Sequence, residues 1–294
     1  MMDFEKEFHK YIKVWMKEQG LSEDDYEVVD DRIAEVYQNW LKIPSEVFGG
    51  KSPSEFFNNI DSPLNLFKQL GKYIYSGTPV PGPLLNRMIE LKETVYPILI
   101  STIRNFEGED EKSDKIKAYC VELISEMNGV HPIEDYIKEI KNLKTRSESS
   151  EAMIKILINN AHDIKPDLKT AYLEAKSEYS KDSFLDILSE LKNDDEAYEY
   201  ALDCFLNDFS KSGMYALMLS KIGKLECADY LKDRMKDPST NYYNFCAIKE
   251  ALEELGEESN IDRDFSDDED FKYLSSLTNE ENSEELNREE DFDE

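Results

Sequence analysis

The side chains able to do chemistry are few and scattered. Histidine occurs three times (His9, His131, His162) and cysteine four times (Cys120, Cys204, Cys227, Cys246). A zinc or iron site needs several such ligands at set spacings, and the chain has no HExxH, no CxxC and no His–Cys cluster. No metal and no cofactor are therefore expected. The cysteines lie far apart, most of them in apolar stretches, and read as reduced, buried residues. Gly50-Lys51-Ser52 has the ending of a phosphate loop, but the first glycine of that motif falls on Ser45 and a helix, not a strand, precedes it. Asp262 to Asp270 opens like a calcium loop. Its sixth position is Asp267, where the sharp turn needs glycine, and its twelfth is Tyr273, where a bidentate glutamate is needed. There is no GxSxG, and carboxylates are too abundant for any pair to stand out. No catalytic residue is assigned.

The elements that would position any site are easier to read. Apolar residues recur at i, i+3, i+4 and i+7, as in Phe8, Tyr11, Ile12 and Trp15, or Ile33, Val36, Tyr37 and Trp40. Further sets include Cys120, Leu123, Ile124 and Met127; Ile133, Tyr136, Ile137 and Ile140; Phe184, Ile187, Leu188 and Leu191; and Ile248, Ala251, Leu252 and Leu255. Each puts one apolar stripe on one helical face. No comparable stretch alternates with period two, so the class is all-α. Ser52-Pro53-Ser54-Glu55 and Ser62-Pro63 are helix entries, with serine as cap and proline in the first turn. Gly49-Gly50 is a helix stop. Trp40, Pro44, Gly49, Gly50 and Pro53 thus read as a rigid corner, and Trp40, Gly49, Gly50 and Lys51 are its candidate partner-binding residues.

Four zones follow. Residues 1–76 form an N-terminal helical region, 77–83 a Pro/Gly linker, 84–256 a series of paired helices, and 257–294 an acidic tail expected to be disordered. The stripes starting at 120 and 154, and at 215 and 248, stand 34 and 33 residues apart, the length of one helical hairpin in stacked repeats. Of the net charge of −30, the tail carries −14 (17 acidic against 3 basic side chains), leaving −16 on the other 256 residues. A surface of that sign repels phosphate backbones and anionic head groups, so neither direct nucleic-acid binding nor membrane attachment is expected. The start of the chain lacks a basic region followed by an apolar one, and no stretch is long and apolar enough to span a bilayer. The expected location is cytoplasmic.

Residues 93–256, with segments such as Ala216 to Glu226 (helix, glycine turn, second helix), resemble a degenerate HEAT-like array. That resemblance implies an α–α superhelix that binds a protein or nucleic acid in its concave groove and carries no universal active site. A shorter stretch, Trp40 to Pro53, is similar to a segment in the toxin-binding domain of bacterial antitoxins of the Xre/MbcA/ParS type. That pattern reads Trp-Leu-x-Thr-Pro, a spacer, Leu-Gly-Gly, a basic residue, then Thr or Ser before Pro. Here Ile43 replaces the threonine and Phe48 the leucine. The chain as a whole resembles bacterial HEAT-like repeat proteins in which such a segment precedes the repeats.

The reading is a non-enzymatic protein-interaction scaffold of the α-solenoid type, with an N-terminal helical cap and an acidic tail. One alternative is an acidic decoy that inhibits nucleic-acid-binding proteins, its carboxylates imitating phosphates. A second is a cryptic hydrolase or transferase, for which His131, His162 and Cys120 would have to converge.

Overall fold

Polar side chains start the helices where the sequence sets Ser, Asp or Asn ahead of an apolar stripe. Asp3 accepts from the Lys6 amide, Ser62 from Asn65, Asp110 from Ser113, Ser177 from Ser180, Asp194 from Ala197 and Asn241 from Asn244. Each bond satisfies an amide that the first helical turn leaves without a partner. The computed structural model describes residues 1–22, 25–106, 108 and 110–277. Among these residues the fold is all-α. No strand occurs, only one isolated bridge between Ser45 and Lys51.

The chain forms two compact units, residues 1–139 with 145–156, and residues 140–144 with 157–294. The first holds α1 (Phe4–Gln19), α2 (Tyr26–Trp40), α3 (Pro63–Ser76), α4 (Gly82–Glu90), α5 (Lys92–Asn105) and α6 (Glu111–Glu126). It also takes most of α7 (Ile133–Asn142) and α8 (Glu148–Asn159). Leu66, Leu70, Tyr73 and Ile74 of α3 are buried, and α3 packs on α4, α5 and α6. The residues before and after the expected 77–83 linker therefore share one core. The run is itself partly helical, with Pro81 as the cap of α4 and Pro83 in its first turn, where a missing amide costs nothing.

The second unit holds α9 (Lys165–Glu174), α10 (Glu178–Ser189), α11 (Asp195–Asn207), α12 (Ser212–Ile222), α13 (Ala228–Lys236) and α14 (Tyr242–Glu254). The helices α10, α12 and α14 pack in series, and α9, α11 and α13 each pack against a member of that row. Side chains tie one hairpin to the next at a recurring distance in sequence. Tyr215 donates to Asp182 (33 residues apart, 2.9 Å), Ser220 to Glu254 (34, 2.5 Å) and the Gly213 amide to Asn244 (31, 2.8 Å). Lys221 pairs with Asp186 (35, 3.0 Å) and Lys141 with Glu174 (33, 2.8 Å). The first unit has ties of the same length, Arg104–Asp135 at 2.7 Å over 31 residues and Ser149 onto Asp114 over 35.

Ordered packing also continues past residue 257, where a disordered run was expected. Phe265 is 8% exposed, its ring 5.2 Å from Tyr242 and 4.9 Å from Phe245, and the chain is helical again over 269–277. Composition alone concealed this, because two aromatics and one arginine hold a segment whose other residues are mostly acidic. The remainder of the tail, 278–294, lies outside the described residues.

Two measurements check this packing. Gly213 lets α12 approach α14 closely: a Cβ there would lie 2.8 Å from Asn244 Oδ1 and 2.9 Å from the Ala247 methyl. Gly213→Ala is expected to lower stability by about 1–3 kcal/mol in urea unfolding; a gain, as helix propensity alone dictates, would contradict the close approach. Burial raises the Asp194 carboxyl pKa, but the bonds from Lys165, the Ala197 amide and Lys169 outweigh it and bring the value down to about 2. Its contribution is present above the unfolded value near 3.8 and is lost as pH falls through about 2. Asp194→Asn should therefore be less stable than wild type at neutral pH, and the gap should close in acid; a gap independent of pH would refute the pairing.

Candidate functional site

The corner singled out in the sequence is a well-defined piece of backbone. After α2, a 3-10 turn spans Glu46–Phe48, the Ser45 amide donates to Lys51 O at 3.0 Å, and the Gly50 amide returns to Ser45 O at 3.0 Å. Closing so tight a loop puts Gly49 and Gly50 at φ +67° and +81°, a region that side-chain-bearing residues avoid. Trp40 lies inside, 5% exposed, with ring centroids 5.2 Å from Phe8 and 5.9 Å from Phe48. Phe4 touches Trp40, Phe48, Phe56 and Phe57 in turn. Trp40 is thus a core residue and presents no contact surface. Gly49 and Gly50 are exposed and Lys51 is half-buried. The corner packs the N-terminal aromatic cluster.

The nucleophile and base candidates resolve differently. His9 and His162 are exposed, and no group of three or more potential metal ligands occurs among the described residues. Cys120 is fully buried and its thiol is pushed up to about 12 by that burial, against a lowering bond from Thr102. Burial likewise raises Cys227 to about 11. Neither is a thiolate at neutral pH. Sequence reading missed one constellation, because its spacing matches no motif. Ser125 Oγ lies 3.1 Å from His131 Nε2, and His131 Nδ1 lies 2.9 Å from the hydroxyl of fully buried Tyr136.

Satisfying each buried group assigns the ring proton to the serine side. The buried Tyr136 O–H must donate, and its partner is Nδ1, so Nδ1 accepts. Burial lowers the His131 pKa and keeps the ring neutral. The proton then sits on Nε2, which donates to Ser125, and Ser125 in turn donates to Val121 O at 3.3 Å. The imidazole has no lone pair facing the serine, as a general base requires. The chain of bonds fastens the turn between α6 and α7, which Tyr96 also holds by donating to Val130 O at 2.6 Å.

The best candidate surface is a trough of about 500 Å³ between α6 and α8. Residues 118, 121, 122, 125 and 126 of α6 and 148, 151, 152, 155 and 156 of α8 line it, each set at i, i+3, i+4, i+7, i+8. One face of each helix therefore builds one wall. Ala118, Val121, Ala152 and Ile156 form the apolar floor, while Glu122, Glu126, Glu148 and Glu151 rim it, with Lys155 the one cation. Ser149 holds the start of α8 beside α6, its amide donating to Asp114 Oδ2 at 3.1 Å. Glu151 pairs with Arg146 at 2.8 Å, whereas Glu122, Glu126 and Glu148 form no ion pair among the described residues. Their field is felt nearby: burial first, then Glu122 and Glu148, push the Tyr119 phenol upward. A larger hollow of about 870 Å³ lies between the second half of α5 and residues 130–135, but Arg104 and Asp135 on its wall neutralise each other.

Compared with known protein families, with curated proteins and with solved structures, the chain has no match.

The proton assignment at His131 is open to direct measurement. A long-range ¹H–¹⁵N spectrum should show the Nε2–H form, titrating below the ordinary value near 6.5. A proton on Nδ1, or titration above that value, would reopen Ser125 as a nucleophile.

Proposed function

We propose that this chain is a non-enzymatic protein-interaction scaffold of the α-solenoid type, whose trough between α6 and α8 receives a basic amphipathic helix of a partner protein. The observation that carries this reading is the rim itself: three glutamates that form no ion pair among the described residues flank an apolar floor. Carboxylates at the ties between hairpins are met by lysine, as at Lys221–Asp186 and Lys211–Asp182. A helix with leucine on one face and lysine or arginine on its flanks satisfies both the floor and the rim. The ties recurring at 31 to 35 residues support the HEAT-like stacking of hairpins that the sequence suggested.

The cytoplasm is the proposed location. The charge of −30 favours a narrower version of the same reading, in which the partner's basic surface is one that otherwise grips nucleic acid. That is the acidic-decoy alternative, confined here to one trough.

The test uses a designed leucine/lysine amphipathic 18-mer and the full chain. Binding should be saturable and weaken with salt. Reversing Glu122, Glu126 and Glu148 to lysine should cost about 1.4–3 kcal/mol, roughly tenfold or more in Kd, with a shallower salt slope. Equal affinity of the triple variant, or none in the wild type at low salt, would sink the proposal.

A further inference from the structure

The tail segment that packs on the second unit is seated like a ligand in a receptor. Arg263 Nη1 donates to Asp237 O at 2.9 Å, Thr240 O at 3.0 Å and Met235 O at 3.3 Å, and Nη2 donates to Pro238 O at 3.2 Å. These carbonyls gather at the C-terminal end of α13, where the helix dipole presents partial negative charge. Two residues on, the Phe265 ring enters the slot between Tyr242 and Phe245. Three residues further, Asp268 Oδ2 accepts from the Tyr242 amide at 3.1 Å, in the first turn of α14, where the dipole favours an anion. A cation, a ring and a carboxylate thus answer one helix C-terminus, one aromatic slot and the next helix N-terminus.

The loop that forms the seat is braced by bonds of its own. Thr240 Oγ1 donates to Arg234 O at 2.8 Å and the Thr240 amide to Asp237 O at 3.1 Å. The Asp237 carboxylate accepts from the Ser239 amide at 2.9 Å and from its hydroxyl at 2.8 Å. The carbonyls that meet Arg263 are therefore aimed by the loop's own bonds. Preorganisation of this kind is what a binding site needs and what a segment ordered only on docking would lack.

We propose that the corner between α13 and α14 is a receptor for extended segments of the form Arg-x-Phe-x-x-Asp, and that residues 263–268 occupy it in cis until a partner carrying the same pattern displaces them. Arginine is required and lysine is a poor substitute, because several carbonyls are met by the fork of one guanidinium. A second copy of this chain is disfavoured as the donor, since two molecules at −30 repel each other.

The experiment uses the full chain with Arg263→Ala and Phe265→Ala, which empties the seat, and a labelled peptide of residues 259–273. The variant should bind the peptide saturably. Peptides with Arg263→Lys or Phe265→Ala should bind at least tenfold more weakly. The wild-type chain should also bind at least tenfold more weakly, because its own segment competes at an effective concentration on the order of millimolar. A variant that keeps the wild-type helical spectrum yet fails to bind overturns the proposal. Should the variant unfold, hydrogen exchange on the wild-type chain decides. Millimolar peptide should accelerate the amides of 266–272 and leave α14 protected, and unchanged exchange overturns the proposal as surely. A tail-exchanged dimer in sedimentation would make a second copy the donor and equally overturn it.

Discussion

A helix that is apolar along one face is stable in this chain only when neighbouring helices cover that face. The buried residues obey that constraint. In α12 they are Tyr215, Ala216, Met218, Leu219 and Ile222, a stripe too wide for one neighbour, and α12 is the helix flanked by both α11 and α14. Burial of such surface, at about 25 cal/mol per Å², dominates the energetics. The lysine–carboxylate ties are partly exposed pairs, each contributing about 0.2–1 kcal/mol at most. Their part is to fix register. A stripe alone allows a helix to slide by a turn against its neighbour, and a tie landing one hairpin further along does not.

The same constraint organises the excess of acid. At several ties a lysine meets a carboxylate on the adjoining hairpin, as at Lys221–Asp186 and Lys141–Glu174, and matches that charge locally. Where no tie forms, carboxylates stand free. Along α6 and α8 they do so on either side of an apolar floor, which gives the surplus a direction. Net charge by itself would only keep the molecule soluble and repel polyanions; its placement beside apolar surface is what recommends a basic amphipathic partner.

Periodicity made the helices legible because local sequence and tertiary burial agree. Ile248, Ala251 and Leu252 were read as one stripe and are buried in α14. In α2 the agreement is partial: Val36 and Trp40 are buried, but Ile33 is 39% exposed. Trp40 was read as packing the corner and also offered as a contact residue, and its burial agrees with the packing. Sequence placed it beside an exposed glycine turn, whereas the chain folds Phe48 back over the indole, a contact no helical period encodes. The Ser125–His131–Tyr136 chain was invisible because its members belong to a helix, a loop and the next helix. The trough was hidden too, because it exists only once two helices lie side by side. The seat at α13 and α14 had a trace in the sequence, Arg263 and Phe265 standing out in an acidic run, but backbone carbonyls leave no signature in residue types.

An acidic protein that must hold an acidic segment has little use for salt bridges, and the α13–α14 corner shows the alternative. Helix ends carry partial charges of both signs whatever the side chains are. The C-terminus of α13 offers its negative end to Arg263, and the N-terminus of α14 its positive end to Asp268. Lys232 pairs with Glu257 at 2.6 Å where the acidic run begins, while residues 263–268 are held through helix ends. Arginine is the cation suited to this, because its fixed fork meets several carbonyls at once while its flat face lies 4.7 Å from the Phe265 ring. The trough on α6 and α8 works on the opposite basis, with side-chain carboxylates rather than backbone groups facing the ligand. The two surfaces therefore differ in salt response as well as in ligand. The trough's attraction is exposed and screened by ions, whereas ion–dipole contacts at a partly buried corner are screened less, and added salt also quiets the repulsion between tail and body.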